Sequence, residues 1–289
     1  MMSLIAECGR MSLLRICVIA RPILWINTVG PAWVGMWLTG DLFNWSFLPI
    51  LLWLTLPFNL LIYGVNDISD QDTDALNSRK GGYGGALIKG SEARKILAWV
   101  IALNFPFAIY FAIELPASAL VTMFMYMAIF LGYSLPPRFK ALPFFDSLSN
   151  SAYALPVVFV PLALAAPVVW PAFFGLMFWS MAKHTYDAIQ DIDEDQAVGV
   201  TTTAVFLGIH GTLWWCGLFW LLSSLLFGLM YLPLGCLNFI YAAFLLRAVA
   251  HAGTAQVARR VYAFSVAYPY VVGTFGGVVL AWSVFRSVA

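Results

Sequence analysis

The hydrophobic residues of the chain occur in long, uninterrupted runs that are separated by short polar segments. Most runs contain about 20 residues, which is the length that an α-helix needs to cross the hydrocarbon core of a bilayer. The runs do not alternate with period two, so the pattern does not predict a transmembrane β-barrel. It predicts an all-α, polytopic membrane protein with nine transmembrane helices, near 22–40, 47–66, 96–113, 117–134, 148–165, 168–184, 205–231, 234–250 and 262–285. A single re-entrant pair is the alternative for the fifth and sixth of these spans.

The composition supports this prediction. Of the 289 residues, 62% are hydrophobic and only 10% are charged, and the mean hydropathy is +0.86. In a soluble domain about a quarter of the residues are charged. The formal net charge of +1 gives no indication of a nucleic-acid partner. Because the apolar runs recur along the whole length, residues 1–289 are expected to form a single transmembrane domain.

The charged residues are distributed unequally between the two sides of the predicted topology. Fourteen of the 15 Lys and Arg residues precede the first span or follow even-numbered spans, and only Arg286 falls on the opposite side. Cytoplasmic loops of membrane proteins carry an excess of Lys and Arg. The N-terminus and these loops are therefore expected to face the cytoplasm, with the protein in the inner (plasma) membrane.

Nine acidic residues form two clusters on that same side, each following an even-numbered span. The first lies in the stretch NDISDQDTD, residues 66–74, and the second in residues 187–195. If each span continues as a helix, residues three, four, seven or eight positions apart share one face. This spacing aligns Asp67, Asp70 and Asp74 in the first cluster, and Asp187, Asp191 and Asp195 in the second.

Such clusters require a cation. Like charges on one helix face repel each other, and the C-terminal end of the helix dipole disfavours them further. Carboxylates without His or Cys favour Mg²⁺, which is usually shared with a phosphate ligand. The predicted metal ligands are Asp67, Asp70, Asp74, Asp191 and Asp195, whereas solvated loop charges are expected at Asp72, Asp193 and Glu194. A diphosphate site is predicted from basic residues on the same side, namely Arg79, Lys80, Lys89, Arg138, Lys140 and Lys183.

These motifs resemble the signatures of the UbiA superfamily of intramembrane prenyltransferases. The motif N-D-x-x-D-x-x-x-D is formed by Asn66, Asp67, Asp70 and Asp74, and the motif D-x-x-x-D by Asp191 and Asp195. The stretch ARPILWINT is similar to the Arg-Pro start of the family's first helix, and GYSLPPRFKALPFFDSLSN is similar to its loop after the fourth helix. The stretches NSRKGG and MAKHTYDAIQD are most similar to the carotenoid branch, the lycopene elongases. One departure is Asp187, where the family would have a small residue, so the pocket near the second motif is expected to differ.

The resemblance implies helices around a central cavity that is covered by cytoplasmic loops. It also implies Mg²⁺-dependent transfer of a prenyl group from an allylic diphosphate, with dimethylallyl diphosphate as the donor and lycopene or a related carotenoid as the acceptor. The implied catalytic residues are Asp67, Asp70, Asp191 and Tyr133, and Asn66 would join the basic residues at the diphosphate. Aromatic faces for the allyl cation are expected from Tyr63, Tyr133 and Tyr186, and the candidate bases are His184, Asp187 and Asp146.

Two other functions stay open at this point. An aromatic prenyltransferase that makes a quinone or another prenyl lipid would carry the same signatures and differ in its acceptor. A transporter is a more remote alternative, because transporters place ionisable residues near the middle of the membrane. In this chain almost every charge is predicted at the end of a span.

Overall fold

The computed structural model describes residues 11–40, 44–71 and 86–288, and every regular element in these ranges is helical. The predicted all-α class is therefore confirmed for the described chain. Three predicted site residues, Asp74, Arg79 and Lys80, lie outside the described residues. The α-helices are α1 (Leu13–Ala20), α2 (Ile26–Leu38), α3 (Leu48–Trp53), α4 (Leu56–Ser69), α5 (Ala93–Glu114), α6 (Ala117–Ser134), α7 (Phe145–Ser149), α8 (Pro156–Ala163), α9 (Trp170–Ala188), α10 (Ile192–Ala197), α11 (Thr203–Met230), α12 (Leu232–Ala252) and α13 (Ala255–Val288). Short 3-10 helices are Pro22–Leu24, Trp45–Phe47, Gly90–Glu92, Phe139–Ala141, Asn150–Ala154 and Ile189–Asp191.

The described helices make this a multi-pass membrane protein, but they do not confirm nine spans. The segments long and apolar enough to cross a membrane are Trp45–Ser69, Gly90–Glu114, Ala117–Ser134, Thr203–Met230, Leu232–Ala252 and Ala255–Val279. A seventh is the pair Leu13–Leu24 and Ile26–Leu38, which is bent by 58°. The described part of the chain thus contains six or seven such spans.

Local chemistry explains why the other predicted spans are not single, long, apolar helices. The bend before α2 follows Arg21, which has a φ of 51°, and Pro22 cannot continue a helix that precedes it. The predicted fifth span is divided into three short helices between residues 145 and 163, where Pro156 begins the last of them. Helix α9, the predicted sixth span, carries charged and polar residues in its last turns, so it is less apolar than its neighbours.

The helices form a ring. In the first half of the chain α4 packs against α1, α5 and α6, and α8 packs against α6 and α2. In the second half α9 packs against α11, α11 against α12, and α12 against α13. The ring closes where α13 contacts α2, and there the Tyr270 hydroxyl donates to the backbone carbonyl of Ile23.

Each half of the ring has its own hydrophobic core. In the first half, the buried rings of Phe58 and Tyr126 stack with their centroids 4.5 Å apart. In the second half, Trp220 and Tyr268 are buried between α9, α11, α12 and α13. Because each half is packed internally, the space between the two halves is left as a cavity.

Candidate active site

A cavity of about 1470 Å³ lies between the two halves of the ring. At one end its lining is charged and includes residues of both acidic motifs, and at the other end it is apolar and aromatic, with Trp33, Trp37 and Phe275. The lining residues on α13 extend from Arg259 to Val279. Twenty residues of helix rise about 30 Å, which is about the thickness of the hydrocarbon core of a bilayer. The cavity therefore joins a charged site to a long apolar channel.

The first acidic motif is divided by the end of a helix. Helix α4 ends at Ser69, and Asp70 follows as its C-cap with a φ of −107°. The prediction that one continuous helix aligns this motif is therefore wrong beyond Ser69. Asp67 is fully buried, and its Oδ1 lies 2.5 Å from Nη2 of Arg21. Asp67 thus lies behind the cavity lining, whereas Asp70 faces the cavity.

Two basic residues from the segment after α6 hold Asp70. Nζ of Lys140 lies 2.5 Å from Oδ1 of Asp70, and Nη2 of Arg138 lies 3.2 Å from the same atom. The Lys140 ammonium also donates to Oδ1 of Asn66 at 3.1 Å and to Oγ of Ser69 at 2.9 Å. Arg138 is positioned by a left-handed backbone conformation with a φ of 63°. Two of the predicted diphosphate cations, Arg138 and Lys140, therefore converge on the first motif.

The second acidic motif also lacks a continuous helix. Helix α9 ends at Ala188, the 3-10 turn Ile189–Asp191 follows, and Asp195 lies in α10. The predicted single helical face is wrong here too, although Asp191 and Asp195 both line the cavity. Asp195 lies in the first turn of α10, where the helix dipole favours a negative charge. The dipole therefore stabilises this acid, contrary to the sequence-based expectation.

Glu194 was expected to be a solvated loop charge, and this prediction is wrong. Its carboxylate forms an ion pair with Nη2 of Arg259 at 2.5 Å, and it lines the cavity. Nε of Arg259 also donates to the backbone carbonyl of Gln190 at 2.9 Å. Arg259 therefore ties α13 both to α10 and to the turn that carries Asp191.

A second polar group consists of Lys183 and Asp187 in the cavity lining and Ser265 beside it. Lys183 forms an ion pair with Oδ2 of Asp187 one helical turn away. The hydroxyl of Ser265, on α13, donates to Oδ1 of Asp187 at 2.5 Å. Both carboxylate oxygens of Asp187 are thus engaged.

Two tyrosines of the cavity have defined partners. The Tyr133 hydroxyl lies 3.4 Å from Nε2 of His184, and the two rings meet edge to face. The Tyr63 hydroxyl lies 3.3 Å from that of Tyr153, and the Arg21 guanidinium lies 4.6 Å from the centre of the Tyr63 ring. The Arg21 cation therefore occupies one face of Tyr63.

The cavity brings together most of the residues predicted from the sequence. They are Tyr63, Asn66, Asp70, Tyr133, Arg138, Lys140, Lys183, His184, Asp187, Asp191 and Asp195. Of the other described candidates, Asp67, Lys89 and Asp146 are outside this lining. Lys89 is exposed, and its backbone N–H donates to Glu92 at 3.0 Å.

The structure gives Asp146 and Tyr186 positions away from the cavity. Asp146 is fully buried, and its carboxylate accepts from the backbone N–H of Thr203 at 2.9 Å and from the Thr203 hydroxyl. This contact fixes α7 to the beginning of α11. Tyr186 is also buried, and its hydroxyl donates to the Leu245 carbonyl at 2.8 Å. In the contacts that the structure describes, each of these two side chains connects its own helix to another helix.

Sequence reasoning missed Arg21, Arg259 and Ser265 as site residues. Arg21 stands in the stretch ARPILWINT, so the Arg-Pro pair was a usable signal. Arg259 and Ser265 are separated by 65 and 78 residues from their partners Glu194 and Asp187. No local spacing in the sequence indicates such pairs.

The donor atoms at the charged end fit a particular kind of metal site. Within the described ranges, no group of three or more Asp, Glu, His or Cys side chains could hold a metal ion alone. Mg²⁺ usually takes one or two carboxylates and completes its shell with waters and phosphate oxygens. Asp70, Asp191 and Asp195 offer only carboxylate oxygens at one end of the cavity. This set fits Mg²⁺ that is shared with a phosphate ligand.

The helical ring and the cavity define a polytopic membrane protein with an internal site for an amphiphilic molecule. Residues 28–265 match the UbiA prenyltransferase family, and the chain therefore belongs to this family of prenyltransferases. It is 36% identical over 230 residues to the lycopene elongase/hydratase of Haloarcula japonica, covering 77% of each chain. It is 27% identical over 202 residues to the 4-hydroxybenzoate octaprenyltransferase of Burkholderia lata, covering 68% of each chain.

A solved structure shares the fold. It is that of a UbiA homolog from Archaeoglobus fulgidus bound to DMAPP and Mg²⁺, and its TM-score is 0.69 at 20% sequence identity. The alignment covers 90% of this chain and 99% of the other. The predicted superfamily and its resemblance to the lycopene elongases are thus confirmed, as is the class of enzyme.

Proposed function

We propose that this prenyltransferase transfers the dimethylallyl group of dimethylallyl diphosphate to lycopene or a related carotenoid, and that it requires Mg²⁺. The observation that carries the proposal is the cavity, about 30 Å long, in which a cluster of cations and carboxylates opens into an apolar channel. A diphosphate matches the charged end, and a long, apolar acceptor matches the channel. The higher identity to a lycopene elongase/hydratase than to a 4-hydroxybenzoate octaprenyltransferase supports the carotenoid acceptor.

In this proposal the charged end binds and ionises the donor. Asp70, Asp191 and Asp195 would hold Mg²⁺, together with the sequence-predicted ligand Asp74. The predicted ligand Asp67 is buried against Arg21 behind the cavity lining, so it would support this site from behind. The bound metal would neutralise negative charge on the departing diphosphate. The side chains that donate to its oxygens would be Asn66, Arg138, Lys140 and Lys183, with the sequence-predicted Arg79 and Lys80. Donors that are already positioned where charge develops are the usual source of such stabilisation.

The rest of the cavity protects the cation and binds the acceptor. An allyl cation reacts with water, so the space beside the charged end must exclude it. The rings of Tyr63 and Tyr133 line this region, and aromatic faces attract cations. The electrons of the acceptor double bond then form the new carbon–carbon bond, which leaves a tertiary cation on the acceptor.

We also propose that the charged end faces the cytoplasm from the inner (plasma) membrane. The distribution of Lys and Arg supports this orientation. A water-soluble diphosphate would then reach its site from the cytoplasm, while the acceptor reaches the channel from the lipid phase.

The experiment is incubation of the purified protein with Mg²⁺, labelled dimethylallyl diphosphate and either lycopene or 4-hydroxybenzoate. The proposal predicts label in a carotenoid that carries an added five-carbon unit. Label in 4-hydroxybenzoate alone would instead support the aromatic prenyltransferase, the second candidate that the octaprenyltransferase relative favours.

A further inference from the structure

The hydrogen-bonded pair of Tyr133 and His184 joins the two halves of the ring inside the cavity. Tyr133 is the penultimate residue of α6, and His184 lies one turn before the end of α9. The hydroxyl oxygen lies 3.4 Å from Nε2, and both side chains line the cavity. The pair therefore places a phenol and an imidazole beside the charged end, where the bonds of the reaction form and break.

The other candidate bases are engaged elsewhere. The Asp146 carboxylate is fully buried against Thr203 and lies outside the cavity lining. Asp187 faces the cavity, but one of its oxygens pairs with Lys183 and the other accepts from Ser265. A carboxylate held by a cation and a hydroxyl is a weaker proton acceptor than one without these partners. Among the candidate bases, His184 alone lines the cavity without such an ion pair.

The proposed reaction needs a proton acceptor at its end. Attack of the acceptor double bond on the allyl cation leaves a tertiary cation, and a proton must be lost before a neutral product forms. A base that is placed within hydrogen-bonding reach accelerates such a step by about 10² to 10⁴-fold. The charged groups at the diphosphate are cations and metal-binding carboxylates, which have other roles.

We propose that Tyr133 and His184 together accept the proton that ends the reaction. A C–H bond next to the cation breaks, and its electrons form the new double bond. The Tyr133 oxygen takes this proton, and the hydroxyl proton passes to Nε2 of His184, which becomes an imidazolium. Where water adds to the cation instead, its proton follows the same route. The neutral imidazole must begin with its proton on Nδ1. The proposal rests on the proposed function.

The test compares Tyr133→Phe and His184→Gln with Tyr126→Phe. Tyr126 lies two turns earlier on the same helix, is fully buried, and is outside the cavity lining. Diphosphate release and coupled carotenoid product are both measured with labelled donor, lycopene and Mg²⁺. In the wild-type protein and in Tyr126→Phe about one diphosphate should be released per coupled product, since ionisation and coupling stay linked.

In Tyr133→Phe and His184→Gln, kcat for the coupled product should fall about 10²-fold, while KM for the donor stays within about twofold. Diphosphate release should fall much less. A tertiary cation that cannot lose its proton breaks the new carbon–carbon bond and returns the acceptor and the allyl cation, and water that enters the cavity then captures the allyl cation as the free alcohol. The double variant should be no slower than the slower single variant, since the two residues act as a unit.

Two results would overturn the proposal about the pair while leaving the proposed function intact. They are unchanged coupling in both single variants, and an equal loss of diphosphate release and coupled product. If His184→Gln does not fold, Tyr133→Phe decides alone, because it removes a single oxygen atom. A wild-type protein that forms no coupled carotenoid would overturn the proposed function and the pair with it.

Discussion

Arg21 and Asp67 form a buried ion pair, with Nη2 of Arg21 2.5 Å from Oδ1 of Asp67. The Asp67 side chain has no exposed surface, and that of Arg21 is 14% exposed. The pair fixes the end of α1 to the last turns of α4, just before the chain reaches Asp70. Arg21, which belongs to the Arg-Pro stretch at the first helix, therefore contacts a residue of the first acidic motif directly.

Removal of Arg21 should destabilise the protein strongly. Arg21→Ala would remove the guanidinium that lies 2.5 Å from the buried Asp67 carboxylate, and breaking a buried pair in this way costs about 3–5 kcal/mol. The measurement is SDS-induced unfolding in mixed micelles. The control is Arg15→Ala, because the Arg15–Glu92 pair at 3.1 Å is more exposed and should contribute at most about 1 kcal/mol. Similar losses in the two variants would contradict the structural importance of the Arg21 pair.

Lys140→Gln should weaken the binding of the donor. This change removes the ammonium that contacts Asp70, Asn66 and Ser69 and would otherwise face the diphosphate. We expect kcat/KM for dimethylallyl diphosphate to fall about tenfold to hundredfold, with partial recovery in Lys140→Arg. Arg94→Gln is the matched control, since Arg94 is exposed at the start of α5. Equal kinetic constants in Lys140→Gln and the control would contradict the role of Lys140.

Gly276→Phe should obstruct the acceptor and spare the donor. Gly276 lines the apolar end of the cavity, and a Cβ placed there meets no atom within 4 Å. Gly276→Ala should therefore be tolerated, whereas the phenyl ring would fill the channel. We expect kcat/KM for the carotenoid to fall at least about tenfold, with KM for the donor unchanged. An unchanged kcat/KM for the carotenoid in both variants would show that the acceptor does not extend to Gly276.

The positions of the functional groups along the chain could be predicted, but their partners could not. Residue spacing located Asp70, Asp191 and Asp195, and charge placement located Lys140, because both signals are local. The helix ends at Ser69 and Ala188 depend on tertiary packing, so the assumption of continuous helices failed there. The Arg21–Asp67 contact joins residues 46 positions apart, and no periodicity encodes it.

The partner of Asp146 could not be predicted from the sequence either. Asp146 is one of the three candidate bases from the sequence, whereas in the structure its carboxylate accepts from the backbone N–H and the hydroxyl of Thr203. Asp146→Ala and Thr203→Val should each lower the free energy of unfolding, by about 3 kcal/mol for the loss of hydrogen bonds to a charged group. The folded fraction should keep the wild-type ratio of diphosphate to coupled product. A changed ratio in Asp146→Ala alone would give Asp146 a chemical role.

Mg²⁺-dependent ionisation of the donor is tested most directly with Asp70→Asn and Asp191→Asn, by measuring the coupled product formed from labelled dimethylallyl diphosphate. Both substitutions keep the size of the side chain and remove the charge that would hold Mg²⁺. We expect each variant to fold and insert but to lose activity at least about 10²-fold, and we expect EDTA to abolish wild-type activity until Mg²⁺ is restored. Full activity in either variant, or wild-type activity that is insensitive to EDTA, would show that these carboxylates do not hold a catalytic Mg²⁺.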